Sequence, residues 1–261
     1  MKKQVFVVNA FARHTFGGNP AAVLPLDEWL PVDTLQNIAM QHNLSETAFV
    51  VPKGEDYEIR WFTPALEVAL CGHATLAAAH VYFEHLGFRR EKIRFHSKSG
   101  VLPVARKAPG WLTLDFPADE PRQTDWPDLI ESCLKEKPLE IYGGSTDYLA
   151  ILGDQQAIEK LDPDFSQLSR LSSRGLIVSA PGNDSDFVSR CFYPQAGINE
   201  DPVTGSAHTL LTPYWGRKLG KEKLTAIQLS ARKGYLECEM QGDRVLISGS
   251  AITYLQGDIF I

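Results

Sequence analysis

The chain has 261 residues, 44% of them apolar and 22% charged, with a net charge of −6 at neutral pH. That is enough chain to bury a large core without disulfides or metals. The acidic balance, with no Lys/Arg block beyond two residues, excludes a nucleic-acid or anionic-membrane surface as the expected partner.

The four cysteines, Cys71, Cys133, Cys191 and Cys238, are scattered without a C-x-x-C pair and suit a reducing cytoplasm. At the N-terminus, the apolar run Val5 to Val8 ends at Asn9, with Arg13 close behind. That reads as a β-strand rather than a signal peptide. No run approaches the roughly 18 apolar residues of a membrane span, so the sequons at Asn43 and Asn183 read as chance matches.

From residue 33 onward the chain repeats itself. "DTLQ" (33–36) aligns with "DFSQ" (164–167), each placing Asp at a predicted helix N-cap and Gln three residues later. "LSETAFVV" (44–51) aligns without a gap on "LSSRGLIV" (171–178), and "RWFTP" (60–64) on "RCFYP" (190–194). "EVALCGHATL" (67–76) aligns on "EDPVTGSAHT" (200–209). Each half therefore predicts a capped helix, two β-rich strands, a Pro-containing loop and a second helix beginning near Gly72 or Gly205. The stretches "KIRFHSKSGVLPVAR", "WLTLDF" and "RVLISGSAITYLQGDIFI" add strands. The result is an α+β arrangement of two related lobes that divide around residues 117–127. The first lobe spans 1–117 and the second 118–245, with C-terminal strands at about 246–261 returning to the first.

The two second helices carry the chemistry. A helix N-terminus offers unpaired N–H groups and partial positive charge, and Gly72 and Gly205 let a ligand approach that backbone closely. A carboxylate suits such a place. If the lobes pack as a pseudo-dimer, both helix starts would face one cleft. A shared metal at His73 and His80 is excluded by their separation of about 10.5 Å along a helix. His80 with Glu84 fits a solvated face, so no metal site is expected. Cys71 at a helix start would have its thiol pKa lowered, which leaves a reactive thiol and a buried structural cysteine both open.

Glu46 lies between a helix and an apolar strand, and its partner in the repeat is Ser173. Asp201 is likewise unmatched, facing Val68. One lobe thus holds an acid or base that the other lacks, and burial would move a glutamate toward neutrality, which suits proton transfer. A backbone cap at Glu46 and a turn start at Asp201 are the structural alternatives.

Together "GGNPAAV" (17–23), "LSETAFV" (44–50), "RWFTPALEVALCGHATLAAA" (60–79) and "NEDPVTGSAH" (199–208) resemble the PhzF family of phenazine-biosynthesis-like isomerases. More distantly the chain resembles the diaminopimelate epimerase and proline racemase fold. That resemblance implies two pseudo-symmetric lobes, each a strongly curved, mostly antiparallel sheet around a central helix, with the active site between them. It places the family's catalytic glutamate on Glu46, further catalytic groups on His73 and Asp201, and substrate contacts on Ser45, Gly72, Gly205 and Ser206. It implies no metal and no organic cofactor, and a homodimer.

The racemases use one thiol at each helix start. Here Cys71 has Thr204 as its counterpart, so a symmetrical two-thiol mechanism is not expected and Cys71 is left as an accessory group. Three readings follow. The first is a cofactor-independent isomerase moving a proton on a small carboxylate-bearing metabolite, with Glu46 as shuttle. The second is an amino-acid racemase or epimerase using Cys71. The third is a non-catalytic small-anion binding protein.

Overall fold

The computed structural model describes residues 1–108 and 110–261. The chain separates into two compact units: unit 1 comprises Met1–Asp115 with Ser248–Ile261, and unit 2 comprises Phe116–Ile247.

Unit 1 begins with β1 (Lys2–Ala10) and β2 (Asn19–Pro25), an antiparallel pair in which Ala10 faces Asn19. Helix α1 (Val32–His42) leads into β3 (Glu46–Lys53), which runs parallel to β2 with Glu46 opposite Ala21. β4 (Asp56–Phe62) and β5 (Glu67–Val68) follow as antiparallel additions. Helix α2 (Gly72–Glu84) comes next, then β6 (Lys92–Ser97), β7 (Gly100–Ala108) and β8 (Trp111–Pro117). β6 lies parallel to β4. Alternation of apolar and polar residues in "KIRFHS" buries Ile93 and Phe95 and exposes Lys92 and Arg94, the period of a half-buried strand.

Helix α2 has no polar face. Every residue from Gly72 to Phe83 is buried, and the helix packs on β1, β2, β3 and β7. The alanine run explains this, because small side chains let strands approach on all sides without a polar stripe. A second cluster joins Leu24, Leu35, Ile38, Phe49 and Phe62, covering the sheet with α1.

Unit 2 contains β9 (Arg122–Gln123), α3 (Leu129–Leu134), β10 (Glu140–Gly143), β11 (Asp147–Ile151), α4 (Gln155–Lys160) and α5 (Phe165–Leu168). β12 (Gly175–Pro181), β13 (Phe187–Tyr193), a 3-10 turn at Pro194–Ala196 and β14 (Ile198–Asp201) follow. Helix α6 (Ala207–Leu219), β15 (Lys223–Gln228) and β16 (Gly234–Gln241) complete it, and β17 (Arg244–Phe260) runs on into unit 1. There β17 pairs antiparallel with β1 from Lys2↔Phe260 to Ala10↔Ala251.

The pairing scheme recurs. β11 is parallel to β12 as β2 is to β3, β13 is antiparallel to β12 and β14 as β4 is to β3 and β5, and β15 is parallel to β13 as β6 is to β4. The sheet architecture is mixed: these four pairings are parallel and the others described are antiparallel. The gapless alignment of 44–51 with 171–178 makes β12 the counterpart of β3 in this scheme.

The two predicted N-caps divide. Asp164 caps α5, its carboxylate accepting from Gln167 N at 3.0 Å while the Gln167 side chain donates back at 2.7 Å. Asp33 does not cap α1; it lies inside the first turn. Pro31 holds the cap position, and its carbonyl accepts from Thr34 N and Leu35 N. The physical reason is that the proline, with no N–H to satisfy, starts the helix two residues earlier. Asp33 then favours the helix dipole instead. Gln36 is released from the cap and donates to Thr63 O at 2.9 Å. Among the described residues, no helix is long and apolar enough to cross a membrane.

Candidate active site

In unit 1 the fold gathers three of the predicted groups. Glu46 opens β3, and Cys71 and His73 flank the first residue of α2. Cys71 is the N-cap residue in extended conformation, and both the amide and the hydroxyl of Thr75 donate to its carbonyl, at 3.2 and 2.6 Å. That pins the entry into the helix.

One atom each from Glu46, Cys71 and His73 lie within 4.8 Å of one another. His73 Nε2 stands 3.2 Å from Glu46 Oε2, off the line of a hydrogen bond. Such contacts commonly tighten only when substrate arrives. On the other side of the ring, Nδ1 lies 3.2 Å from Asn19 Nδ2 and 3.5 Å from Cys71 Sγ.

Burial pushes the His73 pKa down to about 3, so the ring is neutral at ordinary pH. Its contact with Glu46 is therefore charge to dipole rather than an ion pair. A neutral imidazole beside a carboxylate neither traps it in a salt bridge nor supplies its proton, which leaves Glu46 able to exchange one. The carboxylate is mostly enclosed, its side chain 13% exposed.

Glu46, Cys71 and His73 also form a donor set that could hold a metal. Cys71 Sγ approaches Nδ1 of the ring at 3.5 Å and Glu46 Oε2 approaches Nε2 at 3.2 Å. The positive end of α2 beside Cys71 disfavours a cation there. Ser45, half-buried, precedes Glu46 in the chain, and Gly72 is the buried first residue of α2.

In unit 2 the predicted residues are held by two networks. Asp201 ends β14 and accepts from the Thr204 hydroxyl. The wholly buried Gln228 braces the same loop, accepting from Thr204 N and donating to Asp201 O, both at 2.8 Å. Ser206 accepts from Arg174 Nη2 at 3.2 Å, and Arg174 forms a two-pronged ion pair with Asp147. Thr204, the counterpart of Cys71, thus commits its hydroxyl to a carboxylate.

The helix expected near Gly205 starts at Ala207. Gly205 and Ser206 form a tight turn before it, their carbonyls accepting from His208 N and Thr209 N at 3.1 Å. Three-residue bonding of this kind winds the first turn too tightly for α-helix. His208 Nδ1 donates to Thr204 O at 2.9 Å, matching the contact from Thr75 to Cys71 O in unit 1.

Asn19, Arg174, Asp147 and Gln228 were not singled out from the sequence. Asn19 lay in the quoted "GGNPAAV", and Arg174 stands next to Ser173, the aligned partner of Glu46. Two surface hollows of unit 2, of about 710 and 260 Å³, hold none of these residues; Trp126 and Tyr142 line one, Pro213 and Met240 the other.

The model of the PhzC–PhzF family, described as phenazine biosynthesis-like protein, matches residues 8–257. A Pseudomonas aeruginosa protein called an uncharacterized isomerase is 49% identical over 261 residues, covering 100% of both chains. A human phenazine biosynthesis-like domain-containing protein is 37% identical over 287 residues, covering 99% of each. Among solved structures, a PhzF-family protein of Enterococcus faecalis superposes with a TM-score of 0.97 at 45% identity, covering 100% of each chain. A hydroxyproline epimerase of Agrobacterium vitis shares the fold at 10% identity and a TM-score of 0.59, over 99% of this chain and 91% of that one. With family model, relatives and fold agreeing along almost the whole length, this chain belongs to the PhzF-like, phenazine biosynthesis-like isomerase family.

Proposed function

We propose that the protein is a cofactor-independent isomerase that moves a proton on a small carboxylate-bearing metabolite, with Glu46 as the shuttle. The observation that carries this reading is the 3.2 Å approach of Glu46 to a buried, neutral His73 at the start of α2. In this reading Glu46 takes a proton from a carbon beside an activating group: a C–H bond breaks and a carboxyl O–H forms. The same proton returns to another carbon, restoring the carboxylate. When substrate arrives, the His73 contact tightens into a hydrogen bond to the carboxylate, and Asp201 is the second titratable group. In unit 1, Ser45 and Gly72 bind the substrate carboxylate, aided by the positive end of α2; Gly205 and Ser206 are the corresponding substrate-binding groups of unit 2.

A second reading has its own observation: Cys71 Sγ lies 3.5 Å from His73 Nδ1, as a thiol with a base should. A racemase of this kind would work with one thiol, because Thr204 is engaged by Asp201.

Deuterium incorporation from D2O, read by mass spectrometry over a panel of cyclohexadienyl and amino-acid carboxylates, separates the two. Label entering with wild type and lost in Glu46→Gln supports the shuttle. Label kept in Glu46→Gln and lost in Cys71→Ser overturns it in favour of the thiol. Thermal stabilisation by carboxylates without exchange points to binding alone.

A further inference from the structure

We propose that Asn19 is a positioning residue that fixes the tautomer of His73, holding the ring proton on Nε2, the nitrogen that faces Glu46. The functional importance of that proton rests on the reading of Glu46 as the shuttle; the tautomer itself does not.

The argument starts with the backbone. Asn19 is the first residue of β2, lies opposite Ala10 and is wholly buried. Gly18 before it has φ of +68°, and a Cβ there would lie 2.3 Å from Ala10 O. Only glycine fits that approach, so the entry into β2 is narrowly determined. The Asn19 side chain is delivered to α2 across 54 residues of sequence, with Nδ2 at 3.2 Å from His73 Nδ1.

A carboxamide nitrogen only donates, so Nδ1 must present its lone pair. A neutral imidazole carries one N–H, and with Nδ1 accepting, that hydrogen sits on Nε2. The Cys71 thiol, 3.5 Å from the same nitrogen, is a second weak donor on the accepting side. Burial strengthens the assignment, because the ring does not take a second proton at ordinary pH.

The consequence lies 3.2 Å away, at Glu46 Oε2. An Nε2–H group there stabilises the ionised carboxylate, the form that accepts a proton from carbon. The opposite tautomer would aim a lone pair at the carboxylate and favour its protonated form. Asn19 thereby acts on Glu46 through the ring, without touching the reacting atoms.

The test is a long-range ¹H–¹⁵N correlation spectrum of protein labelled with ¹⁵N-histidine, without substrate, at neutral pH. His73→Gln identifies the His73 signals by their disappearance. The expected wild-type pattern has an unprotonated Nδ1 and a protonated Nε2. Asn19→Asp replaces the donor by an acceptor of the same shape, and the pattern should invert. In the deuterium-exchange assay this variant should lose about tenfold or more in turnover with KM little changed, as expected for impaired proton transfer. A wild-type ring protonated on Nδ1, or an unchanged pattern in folded Asn19→Asp, overturns the proposal. Should Asn19→Asp fail to fold, the wild-type pattern alone decides. The spectrum needs no activity, so failure of the isomerase reading leaves this result standing or falling by itself.

Discussion

Arg60 grips Glu67 with two parallel hydrogen bonds of 2.8 and 2.9 Å, tying β4 to β5 just before the loop that ends at Cys71. The repeat reproduces it: Arg190 grips Glu200 at 2.7 and 2.9 Å, tying β13 to β14 ahead of Asp201. In each unit the pair holds the strand from which the loop to the next helix, α2 or α6, departs. The guanidinium of Arg60 also lies over the Trp29 and Phe62 rings, and burial is substantial on both sides of the bridge.

Arg60→Lys should therefore destabilise the protein by about 1–3 kcal/mol, because lysine cannot form the fork and leaves Glu67 partly unsatisfied. Urea unfolding at neutral pH measures this. A change within error would show that the bridge contributes nothing beyond its exposed surface equivalents.

Stability should fall as the solution is acidified below neutrality. Burial depresses His73 to about 3, and His80 and His208 to about 4. All three titrate near 6.5 when unfolded, so above that value they contribute no pH dependence. Below it the unfolded chain takes up protons that the native state refuses, and each histidine costs roughly 1.4 kcal/mol per pH unit until its folded pKa is reached. Glu67 adds to the loss at lower pH, since Arg60 holds it down to about 2. Urea midpoints at about pH 7.5 and about pH 5 should differ in this sense.

Gly18→Ala should cost about 2 kcal/mol or more, since it combines a positive φ with a contact to Ala10 O that no Cβ can make. It should also weaken turnover by displacing Asn19. Thermal denaturation and the exchange assay together check both effects.

Glu46→Gln should lower proton exchange by about 100-fold or more while leaving the unfolding midpoint near that of wild type. Carboxylate binding, followed by calorimetry, should persist, because the helix-start donors at Gly72 remain. Full activity in this variant would remove Glu46 from the chemistry.

The repeat could be read because its marks are short and local. R-x-F-x-P at 60 and 190 became β4 and β13 with their following turns, and the aligned glutamates 67 and 200 became their ion-pair partners. Cys71 and His73 were visible as neighbours of a helix start, and Glu46 through the asymmetry of the repeat. Asn19 escaped because its meaning depends on contact with a residue 54 positions away. Arg174, Asp147 and Gln228 escaped for the same reason, their partners lying 24 to 32 positions away. The α1 cap failed where two local signals competed: Asp33 is a good cap residue, but Pro31 begins the helix first.

Strand β17 also bears on the order in which the chain can become structured. Unit 2 is one uninterrupted stretch, whereas unit 1 depends on residues 248–261, which follow all of unit 2 in the chain. Nine residue pairs between β1 and β17 therefore join positions about 240 to 260 apart. Contacts of such separation form late, since loop-closure entropy precedes any reward. The amino-terminal half, although it emerges first from the ribosome, must wait with one edge of β1 uncovered until the carboxy-terminal strand arrives. During that interval the exposed edge of β1 is open to mispairing, a risk that falls on unit 1 rather than unit 2.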